Sequence, residues 1–336
     1  FSPLKLHKDL AEDWISENFN NGDVVGYDSW LHSKVWLKNA QQKLAAKNIT
    51  LKAVANNLID EIWHDRPLPS NAQARVHSVK YSGEKSSHKR KRLAAQISKA
   101  GADALVITSL DSIAWLFNIR GSDVDCTPLV LSFAILYSSS KAELYIDPDK
   151  VSNEVIKHLG KQVTLYAKDE FVGALKKLGK SGQTVMADPK RAHSAVFEAL
   201  ESENAKVIEK EDPILLNKAC KNDVELDGTR AAHIRDAGAV CRFLCWLDQH
   251  GPSGNIDELE AVKKLYTFRQ QVPYFQGNSF ETISGAGPNG AIVHYSVTEE
   301  TSRKLTNNMI YLVDSGGQYL DGTTDVTRTI ALGEAT

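Results

Sequence analysis

The chain has 336 residues, of which 42% are hydrophobic and 24% charged, and its net charge at pH 7 is −2. This composition is typical of a globular protein, and the length predicts two or three domains with buried cores. A net charge so close to zero gives no electrostatic reason to expect nucleic acid or an anionic membrane as a partner. The longest apolar run, residues 128–137, is well short of the roughly 20 residues that cross a membrane, and no signal peptide is visible.

The first part of the chain reads as an α/β region. Residues 7–54 show a helix, a strand, a second helix and a second strand in turn, a pattern that predicts a parallel or mixed sheet. Residues 62–77, with Pro67 and Pro69 close together, then read as a linker.

A second α/β region starts with a Ser-capped helix near residue 86 and continues through two short strands. It ends with helix, strand, helix and strand between residues 169 and 210. Residues 183–200 echo residues 23–40 in pattern and position, which suggests two related α/β domains. The basic run "HKRKR" at residues 88–92 is interpreted as the solvated face of an amphipathic helix rather than a nucleic-acid patch.

The last part of the chain opens with a long helix. Its apolar stripe is formed by Val240, Phe243, Leu244 and Leu247, at the spacing of one helix face. A second helix is predicted over residues 256–271, and strands separated by glycine-rich loops follow it.

The four cysteines, at positions 126, 220, 241 and 245, form no CxxC pair and do not have the spacing of a metal finger. Cys241 and Cys245 are four residues apart in the long helical pattern, which favours buried thiols over a disulfide framework. Reduced cysteines in turn favour a cytosolic protein.

The stretch "GAGPNG", residues 285–290, matches the dinucleotide fingerprint G-x-G-x-x-G. That fingerprint works where a strand ends and a helix begins, whereas Pro288 and the following "AIVHY" predict a loop between two strands. His294 lies in this predicted second strand, on the face opposite Val293 and Tyr295. A lone histidine in a strand is most often a hydrogen-bonded structural residue.

Residues 312–329, "LVDSGGQYLDGTTDVTRT", read as a β-hairpin that carries two carboxylates. With Tyr319 and Leu320 at its tip, Asp314 faces Asp325, about 5 Å away between Cβ atoms. Two carboxylates at that distance repel by roughly 3 kcal/mol at an effective dielectric constant near 20. A shared proton or a bound divalent cation would neutralise the pair, or a bulge would turn both side chains to water. Hard oxygen ligands suit manganese, magnesium or zinc.

These motifs resemble a known family. "SGAGPNGAIVHY" and "YLVDSGGQYLDGTTDVTRT", together with "DSIAWLFNIRGSDV", "NLIDEIWHDRP" and "RAAHIRDAGAV", are similar to the Xaa-Pro aminopeptidases (aminopeptidase P), the long three-domain cytosolic type of pita-bread metallopeptidase. The resemblance implies an α/β and α+β fold, with two creatinase-like α/β domains followed by an incomplete pita-bread catalytic domain. The expected boundaries are 1–70, 71–211 and 212–336.

The resemblance also implies an activity: release of the N-terminal residue from peptides with proline second, at a dinuclear manganese centre, with zinc or cobalt as alternative metals. Asp314 would be a terminal metal ligand, Asp325 would bridge both metals, and His294 would contact the substrate near the scissile carbonyl. A cytoplasmic homodimer acting on Xaa-Pro peptides is expected, with no organic cofactor and no nucleic-acid or membrane partner.

The family pattern has a histidine as third ligand and two further glutamate ligands, none of which occurs in this sequence, and the chain starts at Phe1 rather than Met. We therefore expect a chain truncated at both ends, inactive by itself and poorly folded in its last domain. A prolidase-like dipeptidase, a metal-free creatine amidinohydrolase and a non-catalytic peptide- or protein-binding module remain as alternatives.

Overall fold

A computed structural model describes residues 9–334. The helices are α1 (Ala11–Asn18), α2 (Lys34–Leu44), α3 (Leu58–Ile62), α4 (Val79–Ser82), α5 (Ser86–Lys99), α6 (Leu110–Phe117), α7 (Asn153–Leu159), α8 (Phe171–Lys180), α9 (Ser194–Glu201), α10 (Ile214–Ala219), α11 (Asp223–His250) and α12 (Glu258–Gln270). The strands are β1 (Val24–Tyr27), β2 (Thr50–Ala53), β3 (Arg75–Val76), β4 (Ala104–Ile107), β5 (Ile119–Arg120), β6 (Ser132–Tyr137), β7 (Ala142–Ile146), β8 (Val163–Tyr166), β9 (Thr184–Ala187), β10 (Lys206–Glu209), β11 (Ser253–Asp257), β12 (Phe275–Asn278), β13 (Ile283–Ala286), β14 (Lys304–Thr306), β15 (Met309–Ser315), β16 (Gly317–Tyr319), β17 (Gly322–Thr323) and β18 (Val326–Leu332).

The described residues separate into two compact units. The first combines residues 9–73, 86–117 and 131–219, and the second combines residues 74–85, 118–130 and 220–334.

A six-stranded sheet in the order β10-β9-β4-β6-β7-β8 dominates the first unit. β10, β9 and β4 run parallel, as do β7 and β8, while β6 is antiparallel to both of its neighbours. Helices α8 and α9 cover one part of it, with Phe171, Leu175, Phe197 and Leu200 almost fully buried. For residues 7–54, the predicted parallel or mixed sheet is confirmed by the parallel pair of β1 and β2.

The same unit contains the segment that the sequence echo singles out. Residues 21–40 and 181–200 share one succession of turn, strand, turn, bridge and helix. The two copies meet through their equivalent loops, where Ser33 bridges to His193 and the Ser194 hydroxyl donates to the Ser29 carbonyl at 3.0 Å.

The basic run on α5 is only partly solvated, so the interpretation as a fully solvated face was wrong. Lys89 and Arg90 are 1% and 4% exposed. Lys89 donates to the Trp115 carbonyl at 3.0 Å and lies 4.2 Å from the centre of that indole ring, while Arg90 donates to the Ser140 carbonyl. Long cationic side chains can bury their stems where their heads find such partners.

The second unit is built on α11 and α12, each of which starts with a capping box. The predicted stripe is confirmed, because Val240, Phe243 and Leu247 are buried against the strands that follow. The prediction of buried cysteines was wrong. All four thiols are free, and Cys241 and Cys245 are exposed because they lie on the opposite face of α11.

Candidate metal site

Asp314 lies on the middle strand of a three-stranded antiparallel sheet, β13-β15-β18. Ile283 of β13 pairs with it on one side and Thr327 of β18 on the other. Strand alternation separates Asp314 from Tyr311 and Val313, which are buried in the core of the second unit. The carboxylate therefore belongs to the outer face of this sheet.

The predicted register of the hairpin was wrong by two residues. Asp314 faces Thr327, not Asp325, and the tip consists of Leu320 and Asp321. Asp325 lies immediately before Val326, the first residue of β18, so the strand pairing ends before it reaches this carboxylate. At about 7 Å, the spacing of diagonal neighbours, two carboxylates would repel by roughly 2 kcal/mol at a dielectric constant near 20.

Contacts with α11 set the position of the tip. The Tyr319 hydroxyl donates to Asp236 at 2.6 Å, and Asp321 forms an ion pair of 2.5 Å with Arg235. A Cβ on Gly322 would come within 3.0 Å of the Cα of Thr229, so this position admits only glycine without a shift. Turn propensity alone could not reveal these tertiary contacts.

Asp314 shows the feature expected of a metal ligand. Its Oδ1 atom is buried and has no hydrogen-bond partner, and a buried carboxylate oxygen left alone is costly. Asp325, by contrast, is exposed. The two carboxylates fit as part of a ligand set for a divalent cation. Within residues 9–334 no group of three or more His, Cys, Asp and Glu side chains is placed to hold one.

A tight crossing fixes the chain beside both carboxylates. The Ser279 amide donates a hydrogen bond to the Gly316 carbonyl at 3.1 Å, and the Ser279 hydroxyl donates one to the Thr324 carbonyl at 2.8 Å. The Gly317 amide donates to the Thr324 hydroxyl at 2.9 Å. A Cβ on Gly316 would lie 2.0 Å from the Thr324 carbonyl oxygen. These contacts hold the backbone that follows Asp314 close to the backbone that precedes Asp325.

His294 is not in a strand, so that prediction was wrong. "GAGPNG" ends β13 and enters a 3-10 turn, Gly287–Ala291, and His294 follows in an exposed turn with φ of 55°. Ile292 and Val293 are also exposed, which removes the alternation that the sequence suggested. The loop interpretation of the glycine stretch is confirmed, and the long helix required by the dinucleotide fingerprint does not follow β13.

Comparison with known families divides the chain near residue 226. Residues 65–225 match the creatinase/prolidase N-terminal domain, and residues 227–336 match metallopeptidase family M24. The last part of the chain is therefore an M24 metallopeptidase segment. The candidate carboxylates and His294 all lie in the M24 segment, and the fold is the predicted creatinase-like α/β region followed by a pita-bread domain.

Relatives with curated names include the probable Xaa-Pro aminopeptidases P of Aspergillus fumigatus and Arthroderma gypseum. They are 38% and 39% identical over 335 and 337 residues, each over 97% of this chain. The chain spans about half of their length, 51% and 52%.

Among solved structures, the X-prolyl aminopeptidase of Caenorhabditis elegans, described as a cytosolic enzyme with a dinuclear active site, matches with a TM-score of 0.90 at 30% identity. It covers 98% of this chain and 54% of its own. The Xaa-Pro dipeptidase of Bacillus anthracis matches with a TM-score of 0.59 at 20% identity, over 75% of this chain and 66% of its own, and shows the fold alone.

Two buried charged groups of the M24 segment were missed by sequence reasoning. The first is Glu258, which is fully buried. Its carboxylate accepts from the Ala286 amide at 2.6 Å, the Tyr295 hydroxyl at 2.9 Å and the Arg303 amide at 3.1 Å, and also from the Asn289 side chain. These contacts hold both ends of the loop that carries His294. Nothing in the sequence pattern marked Glu258.

The second is a buried ion pair between Asp236 of α11 and Arg269 of α12, joined by contacts of 2.8 and 3.1 Å. Burial alone would raise the pKa of Asp236, but hydrogen bonds from Arg269 and its charge outweigh burial and keep that pKa below its ordinary value. Burial and Asp236 together raise the pKa of Tyr319. A 33-residue separation hides this pair from sequence patterns.

Proposed function

We propose that this chain forms part of a metal-dependent aminopeptidase that releases the N-terminal residue from peptides with proline second. The observation that carries the proposal is the buried, unpartnered Oδ1 atom of Asp314, whose strand β15 pairs with the strand that directly follows Asp325. The match of residues 227–336 to the M24 metallopeptidases and 38% identity to probable Xaa-Pro aminopeptidases P support it.

In this proposal Asp314 and Asp325 would help to hold two manganese ions. Within residues 9–334, no third His, Cys, Asp or Glu side chain joins them in a cluster. When bound, the cations would supply Lewis-acid chemistry at the scissile carbonyl. His294, exposed at the start of a turn, would donate a hydrogen bond near that carbonyl. The Ser279 crossing orients both carboxylates, and Glu258 fixes the loop of His294.

Several related expectations belong to the same proposal. We also propose domain boundaries at 70/71 and 211/212, a homodimer and a cytoplasmic location. The cytosolic description of the Caenorhabditis elegans enzyme favours that location. No helix among residues 9–334 is both long and apolar enough to cross a membrane. Retention of Asp314 and Asp325 weighs against a metal-free amidinohydrolase or a purely binding role.

The decisive test uses the complete gene product. Cleavage of a short Xaa-Pro-Xaa peptide is measured with and without manganese for the wild type, Asp314→Asn and Asp325→Asn, alongside metal content by mass spectrometry. We expect each substitution to remove bound metal and to lower kcat/KM at least 100-fold. Asp227→Asn, an exposed carboxylate of α11 paired with Arg230, is the matched control and should leave both unchanged. Full metal binding by Asp325→Asn would refute the ligand assignment.

The 336-residue chain alone is expected to be inactive, because two carboxylates hold two cations only weakly. Manganese-dependent cleavage by this chain alone would contradict that expectation.

A further inference from the structure

A polar cavity of about 370 Å³ lies in the second unit, within the size range of small-ligand sites. Its walls come from the loop after β5, from β12 and β16, and from isolated side chains. The lining residues used below are Arg75, Asp125, Gln276, Glu281 and Gln318. No role in the proposed metal site requires this cavity.

Arg75, which lines the cavity, has a residue of like charge as its strand neighbour. Arg75 of β3 lies directly opposite Arg120 of β5 in a two-residue antiparallel ladder. Like charges in directly opposite positions destabilise a strand pair. Burial and the charge of Arg75 lower the pKa of Arg120 to about 10. The charge of Glu225 acts against that shift at Arg120, and an anion beside Arg75 would offset the repulsion further.

The structure does not supply that anion to Arg75. Its guanidinium donates to the neutral amide oxygen of Gln276, and no carboxylate of residues 9–334 forms an ion pair with it. Burial lowers the pKa of Arg75, with no acidic group acting against that shift. A partly desolvated guanidinium that faces a cavity binds a carboxylate strongly, because its fork matches both oxygens.

The cavity is also close to the proposed metal ligands along the chain. Gln318 lies four residues after Asp314, so their Cα atoms are at most about 14 Å apart. Gln318 is fixed there, since its amide donates to the Cys126 carbonyl at 3.0 Å. An extended peptide spans about 3.3 Å per residue, so three to four residues reach from the metal ligands to the cavity.

The geometry points to Arg75 as the group that binds the C-terminal carboxylate of short peptide substrates in this cavity. This inference rests on the proposed function and adds a substrate class to it: peptides of about three to five residues with a free C-terminus. Asp125 and Glu281, the acidic residues of the lining, would repel any carboxylate, so the guanidinium contact with Arg75 has to outweigh that repulsion.

Binding is tested first, without catalysis. Isothermal titration of the metal-free complete gene product uses Ala-Pro-Ala-Ala as the free acid and as the C-terminal amide. We expect the wild type to bind the acid at least tenfold more tightly, a typical effect of a charge-assisted contact. Arg75→Gln should remove the preference, while the exposed Arg230→Gln should keep it.

Equal Kd values for acid and amide in the wild type overturn the inference, as does a preference that survives in Arg75→Gln. The wild-type comparison needs no variant, so it decides even if Arg75→Gln fails to fold. Binding of neither peptide at about 10 mM, a free energy weaker than about −3 kcal/mol, also overturns it.

Kinetics separate this inference from the proposed function. With manganese, we expect the amide to raise KM at least tenfold with kcat unchanged, because the contact is remote from the scissile bond. Cleavage of both peptides with equal KM leaves the aminopeptidase proposal standing and removes the role of Arg75. Preferential binding of the acid without any cleavage would support the role of Arg75 and contradict the aminopeptidase proposal.

Discussion

Replacing Asp236 with asparagine removes the negative charge from the most deeply buried ion pair of the second unit. The side chains of Asp236 and Arg269 are 3% and 1% exposed, and Arg269 Nη1 has no hydrogen-bond partner even in the wild type. Asparagine keeps the shape but leaves a buried guanidinium without its counter-charge. Loss of one partner from such a pair costs about 3–5 kcal/mol. This is a large part of the free energy of unfolding of a typical protein, about 5–15 kcal/mol.

The assay is urea unfolding followed by hydrogen exchange of peptides from residues 311–325, which report the second unit directly. We expect Asp236→Asn to lower the free energy of unfolding by about 4 kcal/mol. The exposed pair Asp227–Arg230 on the same helix is the control, with side chains 75% and 70% exposed. Asp227→Asn should change the free energy of unfolding by less than about 0.5 kcal/mol.

The pH dependence has a definite sign. Because the folded-state pKa of Asp236 is lowered, its contribution is fully present above the unfolded value near 4 and is lost as pH falls through the folded-state pKa. The difference between wild type and Asp236→Asn should therefore shrink below about pH 4. A loss under about 1 kcal/mol for Asp236→Asn at pH 7 would show that the pair is not the determinant that we infer.

Two further substitutions test the supports of the candidate site. Gly316→Ala should destabilise the second unit by more than about 3 kcal/mol, because its Cβ would overlap the Thr324 carbonyl. The control, Gly238→Ala, lies in open space on α11 and should stabilise the unit by up to about 1 kcal/mol. Equal melting temperatures of the two variants would contradict this prediction. Glu258→Gln should speed amide exchange across residues 286–303 and lower kcat/KM at least tenfold, because an amide cannot accept all four donors. Unchanged exchange in that loop, with Glu260→Gln as the exposed control, would count against the role of Glu258.

The sequence was most informative where local periodicity decides structure. The stripe of Val240, Phe243 and Leu247 and the alternating helices and strands are properties of consecutive residues, so pattern alone predicted them. The hairpin itself was also predictable, although its register was wrong by two residues.

The errors arose where distant residues decide. The position of the hairpin tip depends on Tyr319 reaching Asp236, 83 residues away. The strand predicted around His294 is replaced by a turn because Tyr295 is drawn to Glu258, 37 residues earlier. Lys89 is buried because Trp115 offers a carbonyl and a ring face. No local propensity encodes such partners.

The paired loops of the first unit impose an order on biosynthesis. The segment with β1 and β2 forms a two-stranded sheet over a small core of Ala40, Leu44, Ile49 and Leu51, which is marginal by itself. Its docking partner at Ser194 is 165 residues from Ser29. At about 5–20 residues per second, the ribosome needs roughly 10–30 s to make the second copy after the first. During that interval the early strands remain exposed, and a chaperone has its best opportunity to bind them.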